Sequence, residues 1–272
     1  RAIDRPEMPS AVRNESRRLR FEAIELLAND TGLPLVRDLS LSIPERANVL
    51  VGGPNAIAQR ALFHLIAGDC DRGSGTLVVP EEGRLMLLPE RPYLPTGTLR
   101  QILRVEGGDF RVNDLRTRQA LRLLGLDEVV ARVGGVDTVR NWGEVLSLAE
   151  QQMFSCVRAI AANPDFIVFD RPGTTLKNPE LEDVLTAFRK MGQGSLILGG
   201  SSEAGELFDA LLSINIDGTW SYVPQMRAVK EEPVEPSEKD DSMGVERQIV
   251  PIVTKKGDSG NQGQADFDSA AG

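Results

Sequence analysis

Two hydrophobic periods alternate along the chain. Strict or near-strict alternation at residues 21–27 (FEAIELL) and 39–43 (LSLSI) predicts half-buried strands, and the continuous apolar run at 47–51 predicts a strand buried on both faces. Gly52, Gly53 and Pro54 break that run, and a helix-period stretch follows at 58–67, stopping at Gly68, the residue type expected just past a helix end. Farther on, 84–88 predicts a strand, 113–124 an amphipathic helix and 147–162 a longer helix. The last opens on Ser147 with Glu150 three positions later, a capping-box spacing. The run FIVFD at 166–170 is a buried strand ending in a carboxylate, 178–191 is helical and 195–199 is again a strand. Residues 211–216 and 220–223 flank Asp217 and Gly218 and predict a terminal hairpin. Strands alternating with helices predict an α/β class.

The ends differ in composition. Residues 1–20 are polar and Arg-rich with two prolines, which predicts a linker from an upstream domain. The segment 228–272 carries ten acidic and five basic residues with a single aromatic, which predicts a disordered acidic tail, although 249–253 (IVPIV) is apolar. The globular part is therefore expected over 21–227. The chain's 272 residues begin at Arg1 rather than Met, which reads as a piece of a longer protein. A net charge of −9 argues against general nucleic-acid binding. The longest apolar runs fall far short of the roughly 20 residues that a membrane helix needs. Cys70 and Cys156 have no nearby Cys or His in sequence, so neither zinc nor a disulfide framework is suggested, and a reducing compartment is expected.

The array of strand, glycine turn and helix at 47–67 is the anatomy of a phosphate-binding loop. With it in view, four motifs in order resemble ABC transporter ATPases. GGPNAIAQRALFHLIAGDCDRGSGTL (52–77) resembles the Walker A loop and its helix, and LLPERPYLPTGTLRQIL (87–103) the Q-loop region. NWGEVLSLAEQQMFSCVRAIAANPDFIVFDRP (141–172) resembles the signature helix running into Walker B. The wording RPYLPTGTLR and VLSLAEQQ is similar to subfamily D, the fatty-acid, cobalamin and peptide transporter type. The resemblance implies a P-loop NTPase-like ABC ATPase fold of the α/β class, a mixed sheet core with a helical signature subdomain and an N-terminal antiparallel β region.

The family's chemistry is altered at nearly every position. A phosphate loop works because glycines let backbone amides wrap the phosphates, a lysine neutralises them and a hydroxyl holds Mg²⁺. The resemblance assigns the loop to Gly53, Pro54, Asn55, Ala56, Ile57, Ala58, Gln59, Arg60 and Ala61, with Gln59 at the lysine and Arg60 at the hydroxyl. No lysine precedes Lys177 in the whole chain, so no shift of register restores one. Glu90 stands at the Q-loop glutamine, Arg171 at the Walker B glutamate, Lys177 at the aspartate of the next loop and Ser201 at the switch histidine. The signature positions Ser147, Leu148, Ala149 and Glu150 keep the serine, while Ala149 replaces a glycine. Asp170 keeps the Walker B aspartate; it reads either as a weak metal candidate or as a loop cap paired with Arg171 or Arg60. Trp142 and Cys156 read as packing residues, and His64 as a surface or half-buried residue on the first helix.

These readings lead to a catalytically degenerate ABC nucleotide-binding domain, with no catalytic residue expected and ATP and Mg²⁺ implied by resemblance only. The expected partners are a membrane transport domain in the same full-length chain and a second ABC domain, at the cytoplasmic face of a membrane, with no nucleic acid. Two alternatives stay open: an ATP-hydrolysing motor with unusual motifs, and an ABC-like interaction module regulating a fused membrane protein.

Overall fold

The computed structural model describes residues 8–14, 18–70, 72–104, 114–199 and 207–225, all within one compact unit spanning 1–229. In chain order the strands are β1 (Ser10–Asn14), β2 (Leu19–Leu27), β3 (Pro34–Ile43) and β4 (Asn48–Gly52), followed by helix α1 (Ala56–Ala67). Next come β5 (Gly73–Pro80), β6 (Leu85–Leu88), β7 (Gly97–Thr98), α2 (Leu99–Ile102), α3 (Asp114–Leu123), α4 (Asp127–Arg132), β8 (Val139–Arg140) and α5 (Trp142–Val145). The chain continues through α6 (Leu148–Ala162), β9 (Phe166–Asp170), α7 (Asn178–Lys190), β10 (Gly194–Leu198), β11 (Ala210–Ile214) and β12 (Trp220–Pro224).

A six-stranded sheet in the order β12-β11-β4-β10-β9-β6 forms the centre. Five of its strands run parallel, and β12 closes one edge as the antiparallel arm of the expected hairpin, with Leu212 opposite Tyr222. Every residue of β4, β9 and β10 is buried, as their unbroken apolar runs require of a sheet covered on both faces. Side chains alternate between those faces. Leu50, Ile167, Phe169 and Ile197 join a core with α6 and α7, whereas Val49, Val51, Phe166, Val168, Leu196 and Leu198 join a core with α1, β2 and β3. Arg116 on α3 ties the helical layer together by donating to the carbonyls of Ile160 and Met191 at 3.2 and 3.1 Å.

A second sheet, β1-β5-β2-β3, covers α1's side of the molecule. It departs from the sequence reading in two ways. Residues 10–14, read as part of a linker, form an edge strand paired with β5 from Ser10↔Thr76 to Asn14↔Pro80. That pairing is parallel, so the N-terminal sheet is mixed rather than wholly antiparallel; only β2–β3 and β2–β5 run antiparallel. The strand escaped the hydrophobic pattern because an edge strand need bury few side chains. Ser201 and the segment 228–272 lie outside the described residues. No helix among the described residues is long and apolar enough to cross a membrane.

Candidate functional site

The loop between β4 and α1 is held by its own side chains. Gly53 has φ of +102°, and a Cβ there would stand 2.5 Å from the Ile214 carbonyl oxygen on β11, so only glycine fits this approach. Asn55 caps α1: its side-chain oxygen accepts the Ala58 amide at 3.0 Å, while its amide group donates to the Asn215 carbonyl at 3.1 Å. The helix therefore starts at Ala56, two residues ahead of its expected start. Gln59 is buried, and its Nε2 donates to the Gly53 carbonyl at 3.0 Å, folding the side chain back across the loop. Ala58 is fully buried, whereas Pro54, Ala56, Ile57 and Arg60 are exposed and Ala61 is half-buried.

At the ends of β9 and β10 the charges form a second unit. Arg171 stands directly after β9 in a left-handed conformation, φ 43°, and its amide donates to the Leu198 carbonyl at 2.6 Å. Its Nη2 pairs with Glu90, and its Nε with Asp170 at 3.3 Å. One guanidinium thus bridges two carboxylates from two strand ends. The side-chain stem passes over Gly199, where a Cβ would lie 2.4 Å from Arg171 Cγ. Of the two pairings read for Asp170 from the sequence, the structure has the one with Arg171. Lys177 lies beyond this cluster as the N-cap residue of α7, with Glu180 reaching back to its amide at 2.7 Å.

The signature segment lies at the start of α6. Ser147 Oγ accepts the Glu150 amide at 3.2 Å and Glu150 accepts the Ser147 amide at 2.8 Å, so the capping box is formed as its spacing requires. Burial pushes the Glu150 carboxyl upward, but the Ser147 amide and hydroxyl together with Arg132 outweigh it and leave Glu150 below its ordinary value. Leu148 is exposed and Ala149 half-buried. Trp142 is fully buried and donates to the Gly97 carbonyl at 2.9 Å, and Cys156 is fully buried, with its thiol pushed far upward by desolvation. His64 is half-buried, its Nδ1 3.3 Å from Asp69.

No family model matches the chain. It is 30% identical over 204 residues to an uncharacterized ABC transporter ATP-binding protein of Synechocystis sp., covering 75% of this chain and 31% of that protein. It is 33% identical over 157 residues to human ATP-binding cassette sub-family D member 3, covering 56% of this chain and 24% of that protein. The chain is a homologue of ABC transporter ATP-binding proteins, subfamily D members among them. ABC transporter D family member 1 of Arabidopsis thaliana is 28% identical over 236 residues, covering 81% of this chain and 18% of its own length. The chain thus spans less than a third of each of these three ABC relatives.

Nucleotide with Mg²⁺ is what an ABC ATP-binding protein implies, and the residues present do not fit it. Gln59, which the resemblance sets at the lysine, is a neutral amide hydrogen-bonded to the loop's own carbonyl. Arg60, which the resemblance sets at the metal-binding hydroxyl, offers no acceptor to a cation. The carboxylates nearest in role to a metal, Glu90 and Asp170, are both paired with Arg171. Among the described residues no cluster of three or more His, Cys, Asp or Glu stands together to hold an ion. The resemblance named these residues, but sequence reasoning missed two contacts, Gln59 with Gly53 and Arg171 with Glu90. The second pair is 81 residues apart, and only the opposite charges of two altered motif positions hinted at it.

Proposed function

We propose that this chain is an ABC-type nucleotide-binding domain, built on the family's P-loop fold, that does not hydrolyse ATP and serves as a structural or regulatory partner of a membrane transport domain. Its site at a membrane's cytoplasmic face and its pairing with a second ABC domain are part of the same proposal. The observation that carries it is the Gln59 side chain folded onto the Gly53 carbonyl at 3.0 Å, a neutral amide committed to the loop itself and supplying no charge to a phosphate. The Glu90–Arg171–Asp170 bridge supports it, because a fixed cation stands where a base would be needed to activate water. Ser147 remains at the start of α6 in a formed capping box, a surface that a partner domain with intact motifs would still meet.

Steady-state phosphate release and calorimetric titration with ATP, with and without Mg²⁺, test the reading. The expected result is turnover at background and no magnesium-dependent binding. Replacing Gln59→Lys together with Arg60→Ser is expected to leave turnover at background, since Arg171 is untouched. Turnover that Asp170→Ala abolishes would establish a working motor and overturn the proposal.

A further inference from the structure

Most of the half-buried arginines among the described residues are ion-paired or hydrogen-bonded to carbonyls. Arg84 pairs with Asp165, Arg171 with Glu90, and Arg189 with Asp209, while Arg116 is held by two carbonyls. Arg158, in the middle of α6, is different. Its Nε is buried with no hydrogen-bond partner, and no ion pair to it occurs among the described residues. Burial alone drives its pKa below the ordinary arginine value. A guanidinium taken from water without a counter-charge is costly, so this side chain leaves an unmet demand for an acceptor.

Arg158 lines a cavity of about 360 Å³ whose other walls include Thr96, Gly97, Gln101, Ile102 and Arg104. Two of the acceptors on that wall are engaged elsewhere: Gln101 Oε1 takes the Thr98 amide at 2.9 Å, and the Gly97 carbonyl takes Trp142 Nε1. No carboxylate lines it among the described residues, while two guanidiniums do. In a chain of net charge −9 this is a local reversal of sign. The planar donor fork of arginine matches carboxylate and phosphate oxygens in pairs, and a half-desolvated setting strengthens such contacts. The volume lies near the low end of the roughly 300–1,000 Å³ of small-molecule sites and exceeds what a single ion fills.

We propose that this cavity binds a small organic oxyanion, a compact carboxylate or phosphate ester, with Arg158 as the inner ligand and Arg104 at the mouth. The site is independent of the β4–α1 loop and of whether nucleotide binds there. Titration calorimetry of the 272-residue chain with succinate and with inorganic phosphate, at ionic strength fixed with sodium chloride, tests it. Saturable binding of at least one of the two over chloride is expected. Arg158→Met, close in volume, is expected to weaken it by roughly ten- to a hundredfold, the loss of one charged hydrogen-bonded contact. Its melting temperature should stay at or above that of the unaltered chain, because an unpaired charge has been removed. Arg104→Gln should weaken binding severalfold. The Nε–H resonance of Arg158, followed by NMR in the unaltered chain, gives a reading that needs no variant to fold, and it should shift with the titration. Absence of binding beyond chloride, equal binding by Arg158→Met, or an unmoved Arg158 resonance would each overturn the proposal.

Discussion

Arg171 and Glu90 each look damaging when considered alone, since one places a cation at a base and the other an anion beside a polyanion site. Together they form one ion pair, with Asp170 on the other edge of the same guanidinium. Removing the cation leaves two carboxylates facing each other in a half-buried setting. Arg171→Gln is therefore expected to cost about 2 kcal/mol, below the range for fully buried pairs because these side chains keep part of their hydration. Adding Glu90→Gln should recover more than half of that loss. Urea denaturation of the two single variants and the double variant checks this, and additive losses would mean the pair contributes nothing. At this scale the sequence was legible in identity but not in contact. The family resemblance singled out Gln59 and Arg171 as altered motif residues before any contact was known. That Gln59 turns back onto Gly53 depends on a helix starting at Ala56, and that Arg171 reaches Glu90 depends on β6 lying beside β9.

Elements with a dominant local signal were readable, and those defined by their neighbours were not. Helix α6 announces itself by a capping box and β9 by an unbroken apolar run, and both were found within a residue or so. Strands β1 and β5 were missed: β5 holds Gly73, Gly75 and Pro80, and its strand character comes from pairing on both sides with β1 and β2. The short helices α4 and α5, six and four residues long, carry too few turns for a period to show. The α6 start also makes a pH-dependent contribution. The Glu150 carboxyl lies below its ordinary value near 4.5 in the folded chain, so its stabilisation is intact above that pH and is lost as the pH falls through the folded value. Glu150→Gln should cost about 1 kcal/mol at pH 7, and the gap to the unaltered chain should close toward pH 3. Denaturant melts at both pH values measure it, and a gap constant with pH would remove the carboxylate from the account.

Across the whole molecule the central sheet separates two cores, one shared with α6 and α7 and one with α1 and the second sheet. Leu62 on α1 and Val184 on α7 sit in different cores and are both fully buried. Leu62→Ala is expected to cost about 2–5 kcal/mol and Val184→Ala somewhat less, and the losses should add within roughly 0.5 kcal/mol since the residues share no partner. A single cooperative transition by fluorescence and circular dichroism is the accompanying expectation; coupling well beyond that margin would mean that the sheet transmits strain between its faces. The order β1-β5-β2-β3 has a different consequence, for the route by which this chain reaches its native state. Strands β1 and β2 are neighbours in sequence but not in space, because β5 lies between them. A nascent chain must therefore hold the first two strands apart, or separate them again, until β5, which begins at Gly73 while β2 ends at Leu27, arrives to occupy the gap. Within this unit the ribbon formed by β1 and β2 precedes β5 in synthesis and is among the last parts to be seated.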